Sequence, residues 1–419
     1  MMKRLCGLAL VLAIHGQGAS ATEWNPYAAP ANEFEQRLQA AAFGEPGADR
    51  GLEDWLGEHP EFSAAQRMQG YGQLCRDYGF LSWNKLRVAS CLQYQRLKRA
   101  ASGDDDEGMA LAFADQPPTR AIGSARVPLS WNAFGSQSVN VTVNGITSSW
   151  FFDTGAEITT ITESLARQMG VRPVGMTIRV GTMTSDVSGG VGIIDRLQIG
   201  SAYAENVPVL ILPDAQLKLG NVHQIDGILG LQVMVAFGRI AWVDGGRMLA
   251  LGDAAPKTRR TAPRIFWHDE GVGVPIRTST GIAGAFLDTG ANATNWRPGG
   301  MSLLDPKLLA GAKEKTMHVG GAGGVVEVKQ RELPDLTFEL GSIPVRLRGV
   351  SIVSTDKTGA AQVGMDAVSQ FGSFILDFEQ MRIDGRLKTA AERKATHQPV
   401  LNPEDVKIDD SGQKASSPK

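Results

Sequence analysis

Two stretches of this chain carry the same pattern 135 positions apart, and that duplication limits what the chain can fold into. The first reads Trp150-Phe151-Phe152-Asp153-Thr154-Gly155-Ala156, followed by Thr159 and Thr160. The second reads Ala285-Phe286-Leu287-Asp288-Thr289-Gly290-Ala291, followed by Thr294. Later landmarks keep the same order. Ile228-Leu229-Gly230 precedes Phe237-Gly238, and Gln362-Val363-Gly364 precedes Phe371-Gly372. Each half has a Gly-rich segment between its landmarks, Val180 to Gly192 and Val319 to Gly324, then a strand-like stretch ending in Gly200 or Gly341. A recurrent unit of this size predicts two similar modules, spanning about 125–254 and 262–388.

Within each module, runs of Val, Ile, Thr and Phe are bounded by Gly, Pro, Asn and Asp, the composition of strands and turns. Val139-Asn140-Val141-Thr142-Val143 alternates and then reaches Asn144-Gly145, as a hairpin does. Val209 to Leu212 and Val350 to Val353 read as buried strands, and Thr162 to Met169 as a short helix. The modules are expected to be mainly β.

These residues resemble the retropepsin-like aspartic proteases in their bacterial periplasmic form. The resemblance rests on apolar-apolar-Asp-Thr-Gly-Ala-x-x-Thr and on a later apolar-apolar-Gly before a short helix. It implies a bilobal, pepsin-like acid protease fold of two closed β-barrel-like lobes in one chain. Pepsins themselves are more distant, because Ala156 and Ala291 stand where they place Ser or Thr. The first Gly-rich segment also lacks the Tyr of a pepsin flap. In the second half, Gln362 occupies a position that the family fills with an apolar residue, which weakens the match unless its side chain points elsewhere.

The resemblance implies that Asp153 and Asp288 form a catalytic pair. Two carboxyls held about 3 Å apart cannot both ionise and therefore share a proton. One member can then deprotonate water while the other protonates the scissile carbonyl. Thr154 and Thr289 are expected to hydrogen-bond across the lobe seam, with Gly155 and Gly290 allowing close backbone approach. Ala156, Glu157, Ala291, Asn292, Gly181 and Gly320 are candidate substrate contacts. Glu157 reads equally as an exposed charge. The expected activity is an aspartic-type endopeptidase acting on extended peptides without metal or organic cofactor. The alternative is a catalytically inactive module binding peptides or envelope proteins. Lobe pairing within one chain predicts function as a monomer.

Other motifs are read as structural. His268-Asp269-Glu270 reads as a solvated turn, Asp356-Lys357-Thr358-Gly359 as a surface turn, and the glycines at 320–324 as a hairpin tip. The six His are scattered, without metal-ligand spacing. A net charge of -2 and the lack of a strong basic block give no reason to expect nucleic acid as partner.

Residues 1–21 read as a secretory signal. Lys3 and Arg4 lead into the apolar run Leu5 to Ile14, and Ala19-Ser20-Ala21 provides the cleavage site. That run is too short to span a membrane. Export, with a periplasmic destination, is therefore expected. Cys75 and Cys91 then remain, and an even pair in an oxidising compartment favours a disulfide, two buried thiols being the other reading. Phe34, Leu38 and Ala41-Ala42 recur at helical spacing, as do Ala64, Met68, Tyr71 and Leu74. Residues 22–101 thus read as three or four short helices. Their role is open between prosegment, docking module and packing support for the first lobe. Residues 102–124 read as a linker and 395–419 as a disordered tail.

Overall fold

The computed structural model describes residues 5–6, 24–81, 85–102, 116–131, 136–181, 186–219, 223–321, 324–355 and 357–395. Most of the expected signal, the acidic stretch at 103–108 and the tail beyond 395 lie outside the described residues.

The molecule is mainly β, built on two closed six-stranded barrels. In the first, Val139, Val141 and Val143 point into the core while Asn140 faces solvent. Asn144 and Gly145 both take positive φ, 49° and 81°, and turn the chain into Ile146–Phe152. Paired positive φ angles match the twist of a tight hairpin. From Gln137–Val143 the ring passes through Ile146–Phe152, Gly227–Leu229, Thr159–Thr162, Ala202–Leu212 and Asp186–Ile199. It closes through Thr142 opposite Gln198.

The second barrel follows the same order of pairings. Gly271–Thr278 leads to Gly281–Leu287, Ala361–Val363, Asn295–Trp296, Ile343–Ile352 and Gly324–Leu340, which returns to Gly271–Thr278. Each barrel extends one long hairpin. In the first, Gly181 lies opposite Asp186; in the second, Gly320 lies opposite Val325. The Gly-rich segments are therefore largely strand, and residues 182–185 and 322–323 lie outside the described residues.

A further sheet of five strands draws on both halves. Its order is Arg382–Leu387, Phe371–Asp377, Arg239–Val243, Met248–Leu251 and Ala125–Pro128. Arg239–Val243 pairs directly with Phe371–Asp377, so backbone hydrogen bonds join the two halves. Trp242 of this sheet packs edge-on against Phe152, at the end of the strand leading to Asp153, and against Phe374 from the other half. Arg120–Ile122, within the segment read as linker, pairs with Tyr203–Glu205.

Among the described residues four helices precede the barrels: α1 (Glu33–Ala42), α2 (Ala48–Glu58), α3 (Ala64–Leu81) and α4 (Lys85–Ser102). The last two, at 18 residues each, are longer than expected. Asn32 caps α1 by accepting from the Glu35 amide, and Phe34, Leu38, Leu52, Leu56 and Leu74 form a separate core. Cys75 and Cys91 are joined in a disulfide that ties α3 to α4. Asn25 donates to Ile282 O at 2.9 Å, Tyr27 donates to Arg264 O at 2.7 Å, and Arg76 pairs with Asp269 at 2.8 Å. α3 also packs against the helix Leu231–Ala236 that follows the first barrel. The helical unit thus braces both halves rather than the first alone. Among the described residues no helix is long and apolar enough to cross a membrane.

Candidate active site

The two Asp-Thr-Gly triplets meet at the seam between the barrels, and matched local contacts put them there. Asp153 N donates to Leu229 O at 3.1 Å, and Asp288 N donates to Val363 O at 2.9 Å. Leu231 N donates to Ala156 O, and Met365 N to Ala291 O, both at 2.7 Å. The hydroxyls of Thr159 and Thr294 accept from Gly230 N and Gly364 N at 3.2 and 3.1 Å. Those two glycines are required by close approach. A β-carbon on either would stand 2.7 Å from the backbone of Ile158 or Ala293. The later apolar-apolar-Gly landmarks are therefore the floor on which each triplet loop rests.

Across the seam, Thr154 and Thr289 make four hydrogen bonds, two of them to each other. Thr154 N donates to Thr289 Oγ1 and Thr289 N donates to Thr154 Oγ1, both at 3.0 Å. Thr154 Oγ1 donates to Leu287 O at 2.8 Å, and Thr289 Oγ1 donates to Phe152 O at 3.1 Å. Both threonines are buried, so each hydroxyl replaces water for a backbone group of the opposite barrel.

The Asp153 and Asp288 carboxyls lie side by side at the seam, linked through one backbone amide. Gly290 N bridges them, donating to Oδ1 of each at 2.9 Å. Gly155 N adds a 2.7 Å bond to Asp153 Oδ1, and Ala291 N a 3.0 Å bond to Asp288 Oδ1. A β-carbon on Gly155 would stand 2.5 Å from Asp288 Oδ1, and one on Gly290 would collide with the Asp153 carboxyl. Glycine is the residue that lets each carboxyl lie over the opposite loop. Asp153 and Asp288 are 1% and 0% exposed. Burial pushes the Asp153 carboxyl well above its usual range, and the charge of Asp288 raises it further. Burial also raises Asp288, but Gln362, Asp153 and the amides of Ala291 and Gly290 pull against it.

Gln362 does not point elsewhere. It is 3% exposed, and its Nε2 donates to Asp288 Oδ2. The signal for this was present in the sequence, since a polar side chain in an otherwise apolar buried strand needs a partner.

The other candidates are more dispersed. Ala156 and Ala291 are buried directly after the triplets. Asn292 accepts from Ser136 Oγ at 3.3 Å, a contact from the opposite half. Glu157 is half-buried. Gly181 and Gly320 lie on the two long hairpins.

His268-Asp269-Glu270 does turn the chain and leaves Asp269 exposed, but His268 and Glu270 are buried, which corrects the reading of a wholly solvated turn. Glu270 pairs with Arg297 at 2.5 Å and with Lys357 at 3.2 Å. Burial works to raise Glu270, but these cations hold its carboxyl below the usual range. Burial lowers the His268 imidazole to about 4. Arg297 also donates to Thr358 O, so the segment 357–359 is anchored to this cluster, while Asp356 lies outside the described residues. Among the described residues no three His, Cys, Asp or Glu side chains converge as a metal ion would need.

A family model described as aspartyl protease matches residues 139–233, the first barrel from its first strand to the helix after Gly230. No curated protein matches the chain. Among solved structures, that of Basic 7S globulin from soybean is similar at 11% identity and a TM-score of 0.42, covering 68% of this chain and 99% of that one. Residues 139–233 are thus similar to an aspartyl protease domain, within a mainly β fold.

Proposed function

We propose that the protein is an aspartic-type endopeptidase that activates water between Asp153 and Asp288. One observation carries this reading: two buried carboxyls, one from each barrel, are held against each other by a single bridging backbone amide. Such a pair holds one proton between two acids across neutral and acidic pH, and its titration belongs to the pair. The ionised member takes a proton from water, whose oxygen bonds to the scissile carbonyl carbon. The protonated member donates to the carbonyl oxygen. Collapse of the tetrahedral species then breaks the C–N bond, with a proton delivered to the leaving amine. An extended peptide would lie across the seam, its backbone pairing with the edges of the two long hairpins.

Asp153→Asn and Asp288→Asn are each expected to abolish peptide hydrolysis while leaving the circular dichroism spectrum unchanged. Retention of most of the wild-type rate by either variant would end this assignment. Because the seam is formed within one chain, activity per mole is expected to stay constant on dilution. Export to the periplasm belongs to the same proposal, supported by the basic, apolar and small-residue order of the first 21 residues. Cell fractionation tests it.

A second reading is a module that binds peptides without turning them over. Gln362 favours it, because its amide occupies an oxygen of Asp288. A wild-type protein that binds peptides yet cleaves none between about pH 3 and 8 would support this reading over hydrolysis.

A further inference from the structure

Gln362 and Ile228 hold the same place in the two barrels. Gln362 lies opposite Phe286 in a parallel pairing, and Ile228 lies opposite Phe151 in another. Phe286 and Phe151 each stand two residues before their Asp. Ile228 is fully buried and offers no polar atom, whereas the Gln362 amide donates to Asp288. Asp288 therefore receives N–H donors from Gly290, Ala291 and Gln362. Asp153 receives them from Gly155 and Gly290, both on one oxygen. In a buried site, negative charge settles where more donors converge.

We infer that Gln362 is a positioning residue that makes the pair unequal, holding Asp288 as the charged member and leaving the shared proton on Asp153. This rests on the two carboxyls acting as the pair proposed above. Asp288 is then the base that takes the proton from water, and Asp153 the acid that protonates the carbonyl oxygen.

Neighbouring charges do not supply the same bias. Asp366, on the helix after Gln362, turns its carboxyl to the hydroxyl and amide of Thr294. His268 and Arg297 lie against Phe286, with the imidazole stacked at 5.6 Å and the guanidinium 5.6 Å from the ring. Arg297 is neutralised by Glu270, which also pairs with Lys357.

The test is a pH titration of the dyad by carbon NMR on protein labelled at Asp Cγ, with the two resonances assigned from Asp153→Asn and Asp288→Asn. Gln362→Met keeps an unbranched side chain of similar volume and removes the donor. Losing a hydrogen bond to a carboxylate is expected to raise the lower of the two apparent pKa values by about one to two pH units. The acid limb of the peptide hydrolysis profile should move by the same amount. A folded Gln362→Met protein whose lower titration is unmoved overturns the inference. Should that variant not fold, Gln362→Leu, the isomer of the residue at 228, is titrated in its place under the same criterion. The two claims separate cleanly. If the wild type hydrolyses no peptide, the protease reading falls, and the titration still decides the role of Gln362. If the wild type cleaves and the titration is unmoved, the role of Gln362 falls alone.

Discussion

Replacing Thr154 with Val probes the seam directly, because Val keeps the shape of Thr and removes only the hydroxyl. That hydroxyl donates to Leu287 O at 2.8 Å and accepts from Thr289 N at 3.0 Å, so two backbone groups of the opposite barrel lose a partner. The site is buried, and no water replaces the bonds without rearrangement. Stranding a buried donor or acceptor costs about 1–3 kcal/mol each, giving an expected loss of about 2–6 kcal/mol. Thr289→Val strands Phe152 O and Thr154 N in the mirror sense and should cost a similar amount. The four bonds form one network, so the double variant should lose measurably less than the sum of the singles. Urea unfolding followed by tryptophan fluorescence reads all three variants. A single-variant loss below about 1 kcal/mol would mean that the exchange adds little to barrel pairing. Strict additivity would mean that the two threonines act independently.

The dyad also sets a pH dependence of stability. The folded Asp153 carboxyl is raised by burial and by Asp288, so the native state keeps a proton that the unfolded chain has released. Stability should be full below the unfolded carboxylate range, near about pH 4, and fall as pH rises toward the raised folded value. Asp153→Asn should flatten that fall, and urea midpoints at low and neutral pH check it. The Cys75–Cys91 bridge spans a sequence separation of 16. Replacing both cysteines with serine should destabilise the helical unit by about 3 kcal/mol, read by its thermal unfolding. Arg297→Met removes the shorter of the two ion pairs of the buried Glu270 carboxylate, leaving it Lys357, and should cost up to about 3–5 kcal/mol, part of which Glu270→Gln in the same chain restores. An unchanged melting temperature for Arg297→Met would refute that account.

What the sequence made legible was local and duplicated. The alternation from Val139 to Val143 with Asn144-Gly145 after it specifies a hairpin without outside help. The fixed offsets from Asp153 to Thr159 and from Asp288 to Thr294 mark contacts that the fold makes identically in both halves. The shared sheet was not legible, because the apolar runs within Arg239–Val243 and Phe371–Asp377 carry no mark of which strand they pair with. Nothing local announces that their free edges pair with each other. The charged cluster was missed for a similar reason. His268-Asp269-Glu270 has turn composition, and Arg297 and Lys357, the cations that pair with its buried Glu270, are distant in sequence. Gln362 lay between these cases. Its polarity in an apolar strand was visible, but the direction of its side chain depends on the other strand's Asp.

Two buried carboxyls repel when charged, so the geometry of the pair must be imposed by structure that would persist without them. Three features supply that constraint. The threonine exchange fixes the loops in register, and the five-stranded sheet joins the barrels by backbone bonds that no side-chain substitution removes. Trp242 then carries the sheet's position to the site, touching Phe152 next to Asp153 and Phe374 from the other half at centroid distances of 5.5 Å. Glycine at 155 and 290 leaves the approach open, since a side chain at either would meet the facing carboxyl. The strain of holding like acids together is thereby spread over barrel pairing, far from the reacting atoms. It follows that removing a carboxyl should relax the protein, whereas loosening the sheet should separate the pair while leaving both acids in place.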